Sequence, residues 1–200
     1  SLSYSPSYPT LGQYSMPGMC QAIHPESAPT VTLFDGETLN DAVDRLASLS
    51  ASGGVVAIPY DADTVQCDSL RLNKKRYFSN GLTLKGLPGP SGQQPRFYCR
   101  SDDERYRLGG TIPADQVAPA FLMANGADHT LLIENIHVDG YKSALRLGKQ
   151  GTHVVRNSWF HHGPHNGISS GNTGGPGKDP YRGIEDTSRF TLEACGLEVS

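Results

Sequence analysis

The sequence predicts an all-β solenoid, short strands wound into stacked turns with a single helix at the head of the stack. Three observations predict it. The 200 residues include 23 glycines and 14 prolines, and good helix formers are scarce outside one segment, a composition that favours turn-rich β structure. Beyond residue 54 the chain breaks into short alternating runs, each bounded by Gly, Asn, Asp or Pro, as half-buried strands require. Some of these runs repeat at a fixed spacing, the mark of stacked structural units.

Residues 1–34 form the first unit, an extended arm rich in Ser, Tyr and Pro (SLSYSPSYPTLGQYSMPGMC) without periodicity. The domain proper is expected over 35–200. It opens with TLNDAVDRLASLSASGG, a helix over about 38–52. Leu39, Ala42, Val43, Leu46, Ala47 and Leu49 fall on one face at helical spacing. Thr38 and Asp41 supply a cap and an acidic first turn, and Gly53–Gly54 stop the helix. Strand VVAIP follows, and coils are expected from about residue 54: SLRL, LTL, RFYC, FLM, LLIENIHV, SALRL, HVVRNSWF, NGIS and FTLEACGLEV.

The repeat emerges when HTLLIENIHVDG is laid over THVVRNSWFHHG at a shift of 22. Thr130 meets Thr152, Ile133 meets Val155, Asn135 meets Asn157 and Val138 meets Phe160; after the turn the shift is 23, and Leu145 meets Ile168. FTLEACGLEV is a third copy 37 residues on, placing Leu192 with Val155 and Leu197 with Phe160, so that about 15 residues (the loop 171–186) are inserted. Asparagine at the corner suits a left-handed backbone, and stacked asparagines can bond from turn to turn. Alternation sends Ile133, Val155 and Leu192 inward and Glu134, Arg156 and Glu193 outward.

The order of amphipathic helix, GGVVAIP, CDSLRLNK, LTLKG and Asn-cornered turns resembles the right-handed parallel β-helix proteins of the pectate-lyase-like superfamily, over roughly residues 35–200. The resemblance implies a right-handed parallel β-helix whose N-terminal helix caps the first coil. It leaves the chemistry open, because that scaffold carries lyases, hydrolases, epimerases, tailspikes and adhesins.

Charge narrows the function. A net charge of −3 and a pI near 6.1 show no nucleic-acid footprint, and mean hydropathy of −0.41 with no long apolar run gives no membrane span. Cys20, Cys67, Cys99 and Cys195 lie far apart without metal-ligand spacing; they suit one or two disulfides in a secreted protein, or buried thiols. A start at Ser1 fits an exported, processed product or a trimmed chain, and the expected location is secreted or cell-surface.

WFHHGPHNGISSGN concentrates three of seven histidines beside the only tryptophan. His162 and His165 are candidate proton-transfer groups, joined by Lys142, one coil earlier. Trp159 is a sugar platform, with Asn166 in the turn and Arg146 and Arg156 as cations. The inserted loop adds Lys178, Tyr181 and Arg182, a set suited to neutralising an acidic sugar. PHN at 164–166 is similar to the PHD element of β-helix mannuronan epimerases, without its aspartate. No cofactor is expected; calcium has candidate ligands in Asp61, Asp63 and Asp68, or in Glu134 and Glu193, while Gly163–Pro164 weaken a metal reading of the His161–His165 spacing by ruling out a regular helix.

The functional expectation is an extracellular lyase or epimerase acting on an acidic polysaccharide. Its rival is a non-catalytic structural or adhesive solenoid that self-associates through the N-terminal arm or the open C-terminal coil, since LEACGLEVS stops in mid-coil.

Overall fold

The computed structural model describes residues 2–3, 13–15, 22–62, 67–99, 120–124, 126–141, 143–147, 150–162, 168–170 and 189–199. Helix α1 spans Leu39–Leu49. Thr38 caps it, its hydroxyl accepting from the Asp41 amide at 3.1 Å. The Asp68 carboxylate takes a second amide at the helix start, that of Leu39, at 2.6 Å, so two of the donors a helix start leaves unsatisfied have partners. Leu39, Ala42, Val43 and Leu46 are buried as expected, whereas Leu49, the last residue of the helix, is 66% exposed.

Strands follow the alternating runs. After β1 (Leu2–Ser3), β2 (Gln13–Ser15) and β3 (Thr30–Thr32) come β4 (Gly54–Ile58), β5 (Leu70–Leu72), β6 (Leu82–Gly86) and β7 (Arg96–Tyr98). Then come β8 (Ala120–Ala124), β9 (His129–Glu134), β10 (His137–Tyr141), β11 (Ser143–Leu147), β12 (Gln150–His162), β13 (Ile168–Ser170) and β14 (Arg189–Val199). Residues 30–32, counted with the arm in the sequence, pair in parallel with β4.

Two sheets result. The smaller runs β13-β11-β8-β5; the larger has ten strands, ordered β1-β14-β12-β9-β6-β4-β3, with β10, β7 and β2 off that path. The expected right-handed parallel β-helix is corrected on this point. Among the described residues the chain forms largely parallel sheets curled into a half-barrel, with one helix, and the large sheet mixes its strands rather than sorting them into uniform coils. The reason is visible in β12. Its 13 residues run unbroken through the Asn157 corner, pairing with β9 before it and β10 after it. The corner therefore bends one sheet where separate faces were expected. At the far edge β1 pairs antiparallel and β2 parallel with β14.

The 22-residue register itself is present: Thr130 pairs with Thr152 and Ile133 with Val155 on β9 and β12. Leu145 pairs with Ile168 at the shift of 23. The third copy is displaced by two. Val155 faces Ala194 and Ser158 faces Leu197, so Glu193 lies opposite Val154 instead of Arg156.

The corner has a direct chemical basis. Asn135 and Asn157 have φ of 56° and 47°, left-handed values that asparagine tolerates better than most residues. The Asn157 side chain donates to Asn135 Oδ1 at 3.1 Å, and Asn135 donates to the Gly86 carbonyl at 3.0 Å. Gly86 must lack a side chain, because a Cβ there would fall 1.9 Å from the Asn135 carbonyl oxygen.

The core lies on the inner face. Val31, Val56, Leu84, Ile133 and Val155 form one continuous row across five paired strands, each at most 5% exposed. Alternation would leave Leu132 and Val154 outside, yet both are buried. The outer face is covered in this region: His24 Nδ1 lies 2.7 Å from the Thr83 hydroxyl, one strand over from Leu132. A disulfide, Cys67–Cys99, ties the approach to β5 to the end of β7 across 32 residues.

Candidate functional site: a groove on β7, β10 and β12

Past the corner, the strands β7, β10 and β12 lie side by side in parallel. Arg96 pairs with His137, and His137 with Trp159. Because side chains alternate along a strand, these three share the face opposite the buried Phe97 and Val138. Two positions on, backbone register brings Tyr98, Asp139 and His161 into a second row. The imidazole of His137 and the indole of Trp159 stand 3.9 Å apart, inclined at 50°. The Arg96 guanidinium lies 5.3 Å from the centre of the Tyr98 ring, close enough for a cation–π contact.

One wall is the segment after β4. Tyr60 packs on Gly89, where a Cβ would fall 2.4 Å from the ring. The loop carrying Gly89 is pinned in turn: Ser91 donates its amide to Gln93 at 2.7 Å, and Gln94 donates its side-chain amide to the Asn157 carbonyl at 2.6 Å. Thus the asparagine corner also anchors the loop that walls the groove. Between wall and strands lies a cavity of about 330 Å³ lined by Tyr60, Asp61, Gln94, Arg96 and His137. A second, of about 290 Å³, shares Tyr60, Asp61 and Arg96 and extends toward Phe34.

The chemistry of this set is specific. A guanidinium can hold a carboxylate or a sugar hydroxyl. An imidazole can move a proton near neutral pH. A half-buried indole and a tyrosine offer flat apolar surface with a polar tip.

The residues expected from the sequence are distributed differently. Trp159 stands against His137 at the edge of the groove, outside the lining of both cavities. Arg156 precedes the corner, ion-paired with Glu134 at 2.6 Å; the expected partner Glu193 is two positions away along β14. Arg146 is on β11 in the smaller sheet, beside Met123 and Ser169. His162 ends β12, where its backbone pairs with Tyr141. Lys142, His165, Asn166, Lys178, Tyr181 and Arg182 lie outside the described residues, as do the inserted loop 171–186 and Asp63.

Of the calcium candidates, Asp68 is occupied by the Leu39 and Ser69 amides, at 2.6 and 2.7 Å. Burial pushes its carboxyl above the ordinary value, against the pull of those two amides. Glu134 is held by Arg156. Among the described residues no three His, Cys, Asp or Glu side chains gather where they could hold a metal ion, and no described helix is long and apolar enough to cross a membrane.

Sequence reasoning missed Tyr60, Arg96 and His137, and named Asp61 only as a calcium ligand. One signal was available: the alignment that pairs Val138 with Phe160 also places His137 beside Trp159. Arg96 carried no such signal, since RFYC has no counterpart in the repeat.

Comparisons with protein families, with curated proteins and with solved structures return no match, so none of them ties the chain to the pectate-lyase-like superfamily.

Proposed function

We propose that the groove binds an acidic oligosaccharide and cleaves it by β-elimination. The observation that carries this reading is the pair Arg96–His137, with Trp159 against His137, opening on a cavity walled by Tyr60 and Asp61. Trp159 offers the flat surface on which a sugar ring rests. Arg96 pairs with the uronate carboxylate and drains charge from it, which acidifies the proton at C5. Neutral His137 takes that proton. The electron pair left at C5 forms the C4–C5 double bond, the C4–O bond breaks, and the leaving oxygen is protonated by the Tyr60 hydroxyl. Asp61 accepts sugar hydroxyls. His137 and Arg96 here take the roles that the sequence pointed toward His162, His165 and Lys142. The Cys67–Cys99 bridge supports a secreted or cell-surface setting, where disulfides persist.

The test is incubation with homopolymeric and mixed uronate polysaccharides, following the ultraviolet absorbance of unsaturated uronate ends. A rise on one substrate, reduced at least about 100-fold by His137→Ala and by Arg96→Ala, is expected. Saccharide binding with no absorbance change would replace elimination with epimerisation, read by proton exchange at C5, or with a non-catalytic binding role. Absence of binding altogether would leave the self-associating structural subunit as the better reading.

A further inference from the structure

The second cavity adjoins the first and differs from it in character. Phe34, Ile58 and Pro59 line it together with Asp35, and it shares Tyr60, Asp61 and Arg96 with the reaction groove. Phe34 is 60% exposed, and an exposed phenylalanine needs a reason when it is also held in place. It is held from two sides. The Arg45 guanidinium lies 4.0 Å from the centre of its ring. Arg45 is itself fixed by Glu37, at 2.9 and 3.0 Å, and by the Thr32 carbonyl at 2.7 Å. The backbone is pinned as well, because the Phe34 amide donates to Glu37 Oε1 at 3.1 Å and its carbonyl accepts from the Glu37 amide at 3.0 Å. A ring ordered before any ligand arrives loses little freedom on binding one.

We infer that this second cavity is a subsite for the neighbouring sugar of the same chain, with Phe34 as its stacking platform, and that it selects a neutral sugar over a second uronate. The inference rests on the saccharide reading of the Arg96–His137–Trp159 groove. Occupancy by the next unit follows from continuity, since three residues line both cavities. Selection follows from charge. Arg96 and Asp61 line both cavities, whereas Asp35 lines the second alone, so the charge that distinguishes the second cavity is a carboxylate. A second uronate there would meet the like charge of Asp35, whereas a neutral sugar presents hydroxyls that Asp35 can accept. The ligand class is therefore an oligosaccharide in which an uncharged residue adjoins the acidic one.

The experiment is calorimetric titration of the full chain with three sets of probes: monomeric galacturonic, glucuronic and mannuronic acid, their homodimers, and each acid linked to a neutral sugar. The mixed disaccharides should bind about 10-fold tighter than the monomers and tighter than the homodimers. Phe34→Ala should erase that gain without changing monomer affinity, Phe34→Tyr should retain it, and Asp35→Asn should narrow the gap between mixed and homodimeric ligands. A gain with length that survives Phe34→Ala overturns the subsite while the groove reading stands. Homodimers that bind best, indifferent to Asp35→Asn, overturn the selectivity. No binding of any probe by the wild-type chain overturns both.

Discussion

The two halves of β12 carry outward-facing side chains on the same strand, three residues apart, with different fates. Before the corner, Arg156 lies against Glu134 at 2.6 Å, and the position next to it on β6 is Lys85. After the corner, Trp159 lies against His137 with Arg96 one strand further, and the row opens on a cavity. In the first row Arg156 and Glu134 satisfy each other, whereas the second row borders a cavity. The difference comes from Asn157. Its left-handed backbone turns the strand, exchanging β9 for β10 as the neighbour, and its carbonyl anchors the loop that walls the groove. Charge on the outer face thus serves the ladder on one side of the bend and lines a cavity on the other.

The largest effect expected on this contrast comes from the disulfide. Cys99 directly follows β7, two residues beyond Phe97. A bridge closing 32 residues restricts the unfolded chain by about 3–4 kcal/mol. Cys67→Ser with Cys99→Ser should lower stability by that amount in denaturant titration, and amide exchange should rise in β7 more than in β6.

Next comes the direct comparison of the two halves. Trp159→Ala should weaken saccharide binding about 30-fold, as loss of a central aromatic anchor does. Arg156→Met should leave binding unchanged and reduce stability by under about 1 kcal/mol, the usual range for a partly exposed ion pair. Equal losses of binding from the two variants would remove the distinction between the halves.

A smaller effect is expected at the corner itself. Asn157→Val places a β-branched residue at φ 47° and removes the bond to Asn135, at a cost of about 1–3 kcal/mol. Asn157→Gly keeps the backbone geometry and should recover part of that loss. If the two variants are equally stable, the left-handed bend is not what shapes β12.

The smallest effect is in pH. Burial holds the His24 imidazole below its ordinary value of 6.5, outweighing the backbone hydrogen bonds with Asn80 and Gly81 that act in the opposite sense. On acidification the unfolded chain therefore binds the proton first, so stability is lost as pH falls through 6.5. His24→Gln should flatten the decline between pH 7 and 5.5, read from thermal midpoints, whereas Trp159→Ala should not.

Much of the local structure was legible. Thr38, Asp41 and the apolar spacing announced α1 because capping and periodicity act within a few residues. Asn135 and Asn157 announced the bend for the same reason, since φ near +50° favours few side chains. The repeat also placed β9 against β12 correctly. It failed for β14, and the cause is physical: FTLEACGLEV alternates with a period of two, so a shift of 37 or 39 presents the same face. Sequence parity could not tell Leu192 from Ala194 as the partner of Val155. The same limit hid the curl, because period alone does not say whether a strand stops at its corner or runs through it.

By itself, then, the sequence determined the helix and its cap, the asparagine bends, the strand-forming runs and the 22-residue register between β9 and β12. Each of these depends on conformational preference or on alternation along a single segment. Only the tertiary structure decided that β12 continues past Asn157, that Cys67 meets Cys99, and that Tyr60, Arg96, His137 and Trp159 share one groove. Those residues come from four separate segments, and no local preference of any one carries information about the others. They are brought together when apolar rows such as Leu84, Ile133 and Val155 bury themselves against one another, which leaves the polar residues of the opposite face side by side.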